Sequence, residues 1–228
     1  MNYQIAIDGP SSTGKSSTAT RLAKKLSFIY IDTGAMYRAV GLYCKRNNIN
    51  INDEEEVKKV LNKIKIDLYY ENGKQEIKLN NEKVSDAIRE NEISKYASIV
   101  STYKSVRDKL VRMQRRLAKT NSVIMDGRDI GTVVLPKATL KVYLIAEDEI
   151  RAKRRLKELL DKGQTVTYEQ ILKELKERDY RDIHRENSPL KKAKDAIEID
   201  TSYLSLDEVT EKIYKLFKEK VGNEKWNI

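Results

Sequence analysis

The eight residues Gly9-Pro10-Ser11-Ser12-Thr13-Gly14-Lys15-Ser16 constrain this chain more than anything else in it. They fit G-x-x-x-x-G-K-[ST], a loop whose glycines let backbone N–H groups curl around phosphate oxygens. Lys15 reaches the β and γ phosphates, and the Ser16 hydroxyl can ligate Mg²⁺. The surrounding sequence suits that role. Tyr3–Asp8 (YQIAID) is an apolar, β-rich run, and Ala19, Leu22, Ala23 and Leu26 follow the i, i+3, i+4, i+7 spacing of an amphipathic helix. A strand, a glycine-bearing loop and a helix in this order place an anion at a helix N-terminus.

The same alternation continues along the chain. Phe28–Asp32, Ser122–Asp126, Leu140–Ala146 and Ala196–Asp200 are short apolar runs, as strands buried on both faces of a parallel sheet are. Between them lie helical patterns, the longest running from Ile93 through Ala97, Val100, Tyr103, Val106, Leu110 and Met113 to Leu117, with a break expected near Thr102. Ser205-Leu206-Asp207-Glu208 and Thr167-Tyr168-Glu169-Gln170 read as capping boxes, and Asn52-Asp53-Glu54-Glu55 opens a helix in the same way. The expectation is an α/β fold around a five-stranded parallel sheet. Two stretches interrupt it. Ile66, Leu68 and Tyr70, then Asn72-Gly73, then Ile77 and Leu79 spell an antiparallel hairpin with a two-residue turn. Residues 147–187 read as two helices around Gly163.

Composition narrows the function classes. Of 228 residues 45 are Lys or Arg and 35 Asp or Glu, a net charge of +10. Residues 104–119 and 151–192 carry net +6 and +5, so the rest of the chain is close to neutral. Such segments are either solvated helix faces or, where they converge, a site for a phosphorylated ligand or nucleic acid. The longest apolar run, Val142–Ala146, is too short for a membrane span, and the first residues lead straight into a strand, leaving no room for a signal peptide. Cys44 is the one cysteine and His184 the one histidine, which argues against a disulfide, a Cys or His metal cluster and a Ser/His/Asp triad. The expected compartment is the cytoplasm.

Three further motifs carry candidate chemistry. Asp32-Thr33-Gly34-Ala35-Met36-Tyr37-Arg38 ends the second strand and opens a helix, placing Arg38 in its first turn near the carboxyl edge of the sheet, where open α/β sheets bind ligands. Asp126-Gly127-Arg128-Asp129 follows the third strand, with Asp126 a candidate for a Mg²⁺ shell. In the carboxyl half, the stripe Tyr168, Ile171, Leu172, Leu175 continues in steps of three and four to Arg178, Asp182 and Arg185. Charges in line with a buried stripe suit closure over transferring phosphates. Crowding those arginines without an anion would be costly, so the hairpin is expected to rest open until nucleotides bind. No guanine-reading N-K-x-D is present, which counts against a GTPase.

Together GPSSTGKSS (9–17), DTGAMYRAV (32–40), DGRDIGTVVLP (126–136) and ERDYRDIHR (177–185) resemble the bacterial cytidylate kinases, a group of nucleoside monophosphate kinases. Leu135 stands where Phe is expected and Thr33 where Ser is also common. The resemblance implies a P-loop NTPase-type three-layer α/β fold with a parallel five-stranded sheet, a small antiparallel insertion and a helical lid. It implies one kinase domain over 1–228, with a core at 1–34, 91–146 and 193–228, a monophosphate-binding part at about 35–90 and a lid at about 147–190. ATP with Mg²⁺ would bind at Gly9, Pro10, Ser11, Ser12, Thr13, Gly14, Lys15, Ser16 and Ser17, the metal on Ser16 and Asp126. CMP or dCMP would be held by Thr33, Arg38, Ser98, Arg107, Arg128, Asp129, Arg178, Asp182 and Arg185. Of these, Arg38 and Arg128 would take the monophosphate, and Ser98, Arg107 and Asp129 the cytosine. Lys15, Arg128 and Arg178 would be catalytic. The chain would act as a monomer, with nucleotides as its partners and neither nucleic acid nor membrane. Two alternatives remain at this stage: a P-loop kinase for another acceptor such as UMP, and a nucleic-acid-binding ATPase suggested by the charge. An acceptor panel separates the first, and polynucleotide-stimulated ATPase activity the second.

Overall fold

The computed structural model describes residues 2–71 and 74–222. In chain order its elements are β1 (Gln4–Asp8), α1 (Lys15–Leu26), β2 (Ile29–Asp32), α2 (Thr33–Arg46), α3 (Glu54–Val60), β3 (Ile66–Glu71), β4 (Lys74–Leu79), β5 (Glu82–Lys83), α4 (Asn91–Val100), α5 (Lys104–Thr120), β6 (Val123–Gly127), β7 (Leu140–Ile145), α6 (Asp148–Asp161), α7 (Tyr168–His184), β8 (Ile197–Asp200) and α8 (Leu206–Val221). A turn of π-helix, Ile130–Val134, follows β6.

The five strands read from the sequence form one sheet in the order β2-β6-β1-β7-β8. The β1 strand pairs in parallel with β6 (Ile5 opposite Ile124) and with β7 (Ile5 opposite Leu140), and β7 pairs in parallel with β8. Ile5, Ala6 and Ile7 are wholly buried, as a central parallel strand with no alternating polar face requires. The chain divides into two compact units, one made of residues 1–30 and 118–228, the other of Ile31–Leu117.

In the first unit the apolar stripe of α1 (Ala19, Leu22, Ala23, Leu26) joins Val209, Ile213 and Phe217 of α8 and the strand residues Ile5, Ile7, Ile124, Val142 and Ile199 in one core. Phe217 meets the rings of Tyr3 and Phe28 edge-on at 5.6 and 5.5 Å. The α6–α7 hairpin has its own small core of Ala152, Leu159, Ile171 and Leu175. Both capping boxes form, with Thr167 accepting from Gln170 N and Ser205 from Glu208 N. Trp226 lies outside the described residues.

In the second unit Met36, Val40 and Cys44 of α2 pack with Ile66, Ile77, Leu79, Ile93, Val106 and Leu110. The hairpin is present, Ile66 opposite Leu79 and Leu68 opposite Ile77, but a third strand, β5, extends it to a three-stranded sheet. Its turn residues Asn72 and Gly73 lie outside the described residues. Tyr70, in line with Ile66 and Leu68 but at the strand's far end, is exposed. The long pattern from Ile93 breaks where expected, between α4 and α5. Two local readings need correction. The cap of α3 is Asp53, not Asn52, because Asp53 accepts from the amides of Glu55 and Glu56. Arg38 falls in the second turn of α2, since the helix begins at Thr33 directly after the capping Asp32.

Candidate active site

The loop between β1 and α1 has the backbone that its sequence demands. Gly9 has φ +147°, and a Cβ there would sit 2.1 Å from the carbonyl oxygen of Leu144, so no other residue fits. Gly14 caps α1 in the left-handed region. Lys15 is buried, and its Nζ donates to Pro10 O, within the loop, and to Thr13 Oγ1 at 3.4 Å. Burial, and then the nearby guanidinium of Arg128, push its pKa well below the ordinary lysine value. Asp126 pulls it back, while Arg178 adds to the depression. An anion among these groups would favour the lysine's charged form.

The Ser16 hydroxyl donates to Asp126 Oδ2 at 2.8 Å, and Tyr30 donates to the other carboxylate oxygen at 2.8 Å. A hydroxyl beside one carboxylate, both hard oxygen donors, fits Mg²⁺, which keeps waters and phosphate oxygens for its remaining positions. Among the described residues no group of three or more His, Cys, Asp or Glu could hold a metal by itself. The Ser16–Asp126 pair therefore needs a ligand's phosphates to complete a shell. Ser17 is exposed one residue further along α1.

Arg128, Asp129, Asp182 and Arg185 come together beside this loop. Arg128 donates through Nε to Asp182 Oδ2 and through an Nη to Ser11 Oγ, both at 2.8 Å. Arg185 approaches Asp129 at 3.8 Å and Asp182 at 3.9 Å, and its Nε donates to Ser188 O. Burial opposes the charge on Asp182, but Arg128, Arg178 and Arg185 outweigh it and hold the carboxyl below its usual range. Burial likewise opposes the charge of Arg128, and Asp182 more than restores it. Arg178, half-buried on α7, acts on both Lys15 and Asp182. The row of Arg, Asp and Arg read from the stripe of α7 thus turns inward.

The α6–α7 hairpin bonds directly to the phosphate loop. Asp179 accepts from Ser11 N at 3.5 Å and pairs with Arg151, which donates to Ser11 O at 3.1 Å. The hairpin brings its own carboxylates, Asp179 and Asp182, which offset the charge of these arginines. Asp179 and Arg151 escaped the sequence reading. Asp179 was within reach, four residues beyond Leu175 on the buried stripe, whereas Arg151 sits in the first turn of α6 with no local signal. Arg154 was also missed. It donates to Thr201 Oγ1 at 3.1 Å, and Thr201 in turn donates to Thr13 O at 3.0 Å.

In the other unit Asp32 caps α2 by accepting from Ala35 N and holds the Arg38 guanidinium, each at 2.8 Å. Thr33, Ser98 and Arg107 are all buried. Arg107 donates to Ser101 O at 3.2 Å and lies over the ring of Tyr37 at 5.6 Å; Ser101 Oγ donates to Ser98 O at 2.9 Å. His184 is exposed, stacked on Tyr180 with its Nδ1 against Tyr180 O, and contributes nothing to these clusters. Chemically, the clusters can bind anions and neutralise charge on a transferring group, and they contain no histidine general base.

Comparison with known proteins agrees with this picture. A family model described as cytidylate kinase matches residues 5–219. The chain is 51% identical over 220 residues to a cytidylate kinase of Caldicellulosiruptor bescii, covering 96% of this chain and 97% of that one. It is 49% identical to one from Thermosipho melanesiensis, with 96% and 99% covered, and 46% identical to one from Leuconostoc mesenteroides, with 97% and 99% covered. Among solved structures, an uncharacterized protein from Eubacterium ventriosum shares the fold with a TM-score of 0.52 at 13% identity, over 96% of this chain and 99% of that one.

Proposed function

The chain belongs to the cytidylate kinase family, and we propose from that premise how its own residues perform the family's reaction. The enzyme is a nucleoside monophosphate kinase that transfers the terminal phosphoryl group of ATP to CMP, giving ADP and CDP. The observation that carries the residue assignment is Arg128, bonded at once to Ser11 of the phosphate loop and to Asp182 of α7. A guanidinium fixed there can follow charge from donor to acceptor.

The reaction needs no strong base. The attacking oxygen belongs to a monophosphate whose second pKa is about 6, so the nucleophile is already an anion at neutral pH. What remains is positioning and charge stabilisation. Residues 9–17 cradle the ATP phosphates with their amides, and the Lys15 side chain offsets the charge on the group in transit. Arg128 and Arg178 stabilise the same group from the acceptor's side. Ser16 and Asp126 would hold Mg²⁺, which would supply positive charge to offset that of the ATP phosphates.

On the acceptor, Arg38 and Arg128 hold the monophosphate. Arg178, Asp182 and Arg185 contact sugar, phosphate or base, Thr33 completes the acceptor site, and Ser98, Arg107 and Asp129 read the ring. We propose dCMP as a second acceptor and a monomeric, cytoplasmic enzyme, since ATP and CMP are drawn from that pool. Among the described residues no helix is long and apolar enough to cross a membrane. ADP release measured across CMP, dCMP, UMP and AMP tests the reading. CMP and dCMP should both be turned over, and far faster than the other two. Equal rates with UMP would remove the role given to Asp129.

A further inference from the structure

β1 ends in Asp8, a carboxylate that is 4% exposed and belongs to neither nucleotide cluster described above. Its two oxygens each accept a backbone N–H from the turn after β6, Oδ1 from Ile130 at 2.8 Å and Oδ2 from Gly131 at 2.7 Å. These are the first amides of the π-helical turn, donors that have no partner inside it. The turn closes on Asp129, whose carbonyl accepts from Val133 at 2.8 Å and Val134 at 3.2 Å. The fit is close. A Cβ on Gly131 would stand 3.4 Å from Asp8 Oδ2 and 3.2 Å from Lys141 Cδ. Asp8 directly precedes Gly9, so one side chain ties the strand that launches the phosphate loop to the turn that carries Arg128 and Asp129.

We propose that Asp8 is a positioning residue for the acceptor: its carboxylate fixes Arg128 and Asp129 relative to the phosphate loop without touching either nucleotide. The inference rests on the reading of Arg128 and Asp129 as acceptor-binding residues. A carboxylate is the side chain of this size that presents two acceptors to two amides. Asparagine would meet one of them with its own NH₂. The charge makes both bonds stronger than neutral ones. Burial pushes the carboxyl up to about 7, the Gly131 and Ile130 amides pull it down, and Asp129 and Lys15 act on it from opposite directions. Tyr143, on β7, lies in register with it, and the Lys141 stem passes beside Gly131.

Asp8→Asn should raise the CMP KM roughly tenfold or more at about pH 8 while the ATP KM stays within about twofold. The acid limb of kcat/KM for CMP should also move, from near 7 in the parent toward the phosphate's own ionisation near ~6 in the variant. If the variant does not fold, Gly131→Ala presses on the same contact from the other side and must give the same split. Both KM values rising together, neither rising, or an unmoved acid limb would overturn the proposal. Arg128→Lys, measured alongside, separates the two levels. If it leaves the CMP KM unchanged, the underlying reading fails; if it raises the CMP KM while the Asp8 variant does not, only the positioning role fails.

Discussion

Replacing Asp8 by Asn should change how stability responds to pH, beyond its effect on substrate. The folded protein holds this carboxyl at about 7, against an ordinary value of 3.8. The folded state therefore binds the proton more tightly than the unfolded chain does, so stability falls as pH climbs between those two values. Over the whole interval the difference comes to about 4 kcal/mol at ~1.36 kcal/mol per pH unit. Between about pH 5.5 and pH 8.5, a range the protein can be studied in, about 2 kcal/mol is lost. For a chain of this size that corresponds to roughly 4–8 °C in Tm. Other groups titrate over the same range, so the quantity to measure is the difference between parent and variant. Thermal melts of both proteins at four pH values give it directly. The gap should shift in favour of the Asn variant by several degrees as pH rises. Parallel Tm curves would mean that Asp8 ionises as an ordinary carboxylate and that its burial costs little.

Other substitutions probe the remaining parts. Lys15→Met should abolish turnover and leave helical circular dichroism intact, since it deletes the charge at the transferring group but keeps an apolar stem in a buried position; loss of both signals together would make the residue structural. Gly9→Ala should fail more broadly, because its Cβ would lie 2.1 Å from Leu144 O at φ +147°; an unchanged Tm with normal ATP binding would contradict the geometry. Asp182→Ala strands the half-buried Arg128 guanidinium and should destabilise by about 3 kcal/mol, read from denaturant unfolding; a loss below about 1 kcal/mol would show that Ser11 and solvent suffice for Arg128. Asp129→Ala should shrink the CMP-to-UMP ratio of kcat/KM by roughly tenfold or more, because cytosine offers an amino donor where uracil has a carbonyl. Equal losses on both acceptors would move base reading elsewhere.

Local patterns in this chain were enough to fix the five parallel strands, the phosphate loop, the break near Thr102 and two capping boxes, because each depends on residues within a turn or two of one another. The loop is the clearest case: Gly9, Gly14 and Lys15 declare their backbone and chemistry by type and spacing. The stripe of α7 also showed that Arg178, Asp182 and Arg185 share a face with the core. What it could not show is which charges meet. Asp182 joins Arg128 across 54 positions, Asp8 reaches Ile130 across 122, and Ser11 meets Asp179 across 168. Such pairs are chosen by how the elements pack, and the carboxylates that offset the arginines became visible only there. Asp8 is the sharpest example. In sequence it is the polar end of an apolar strand, and only the fold turns its two oxygens toward two amides that would otherwise have no partner.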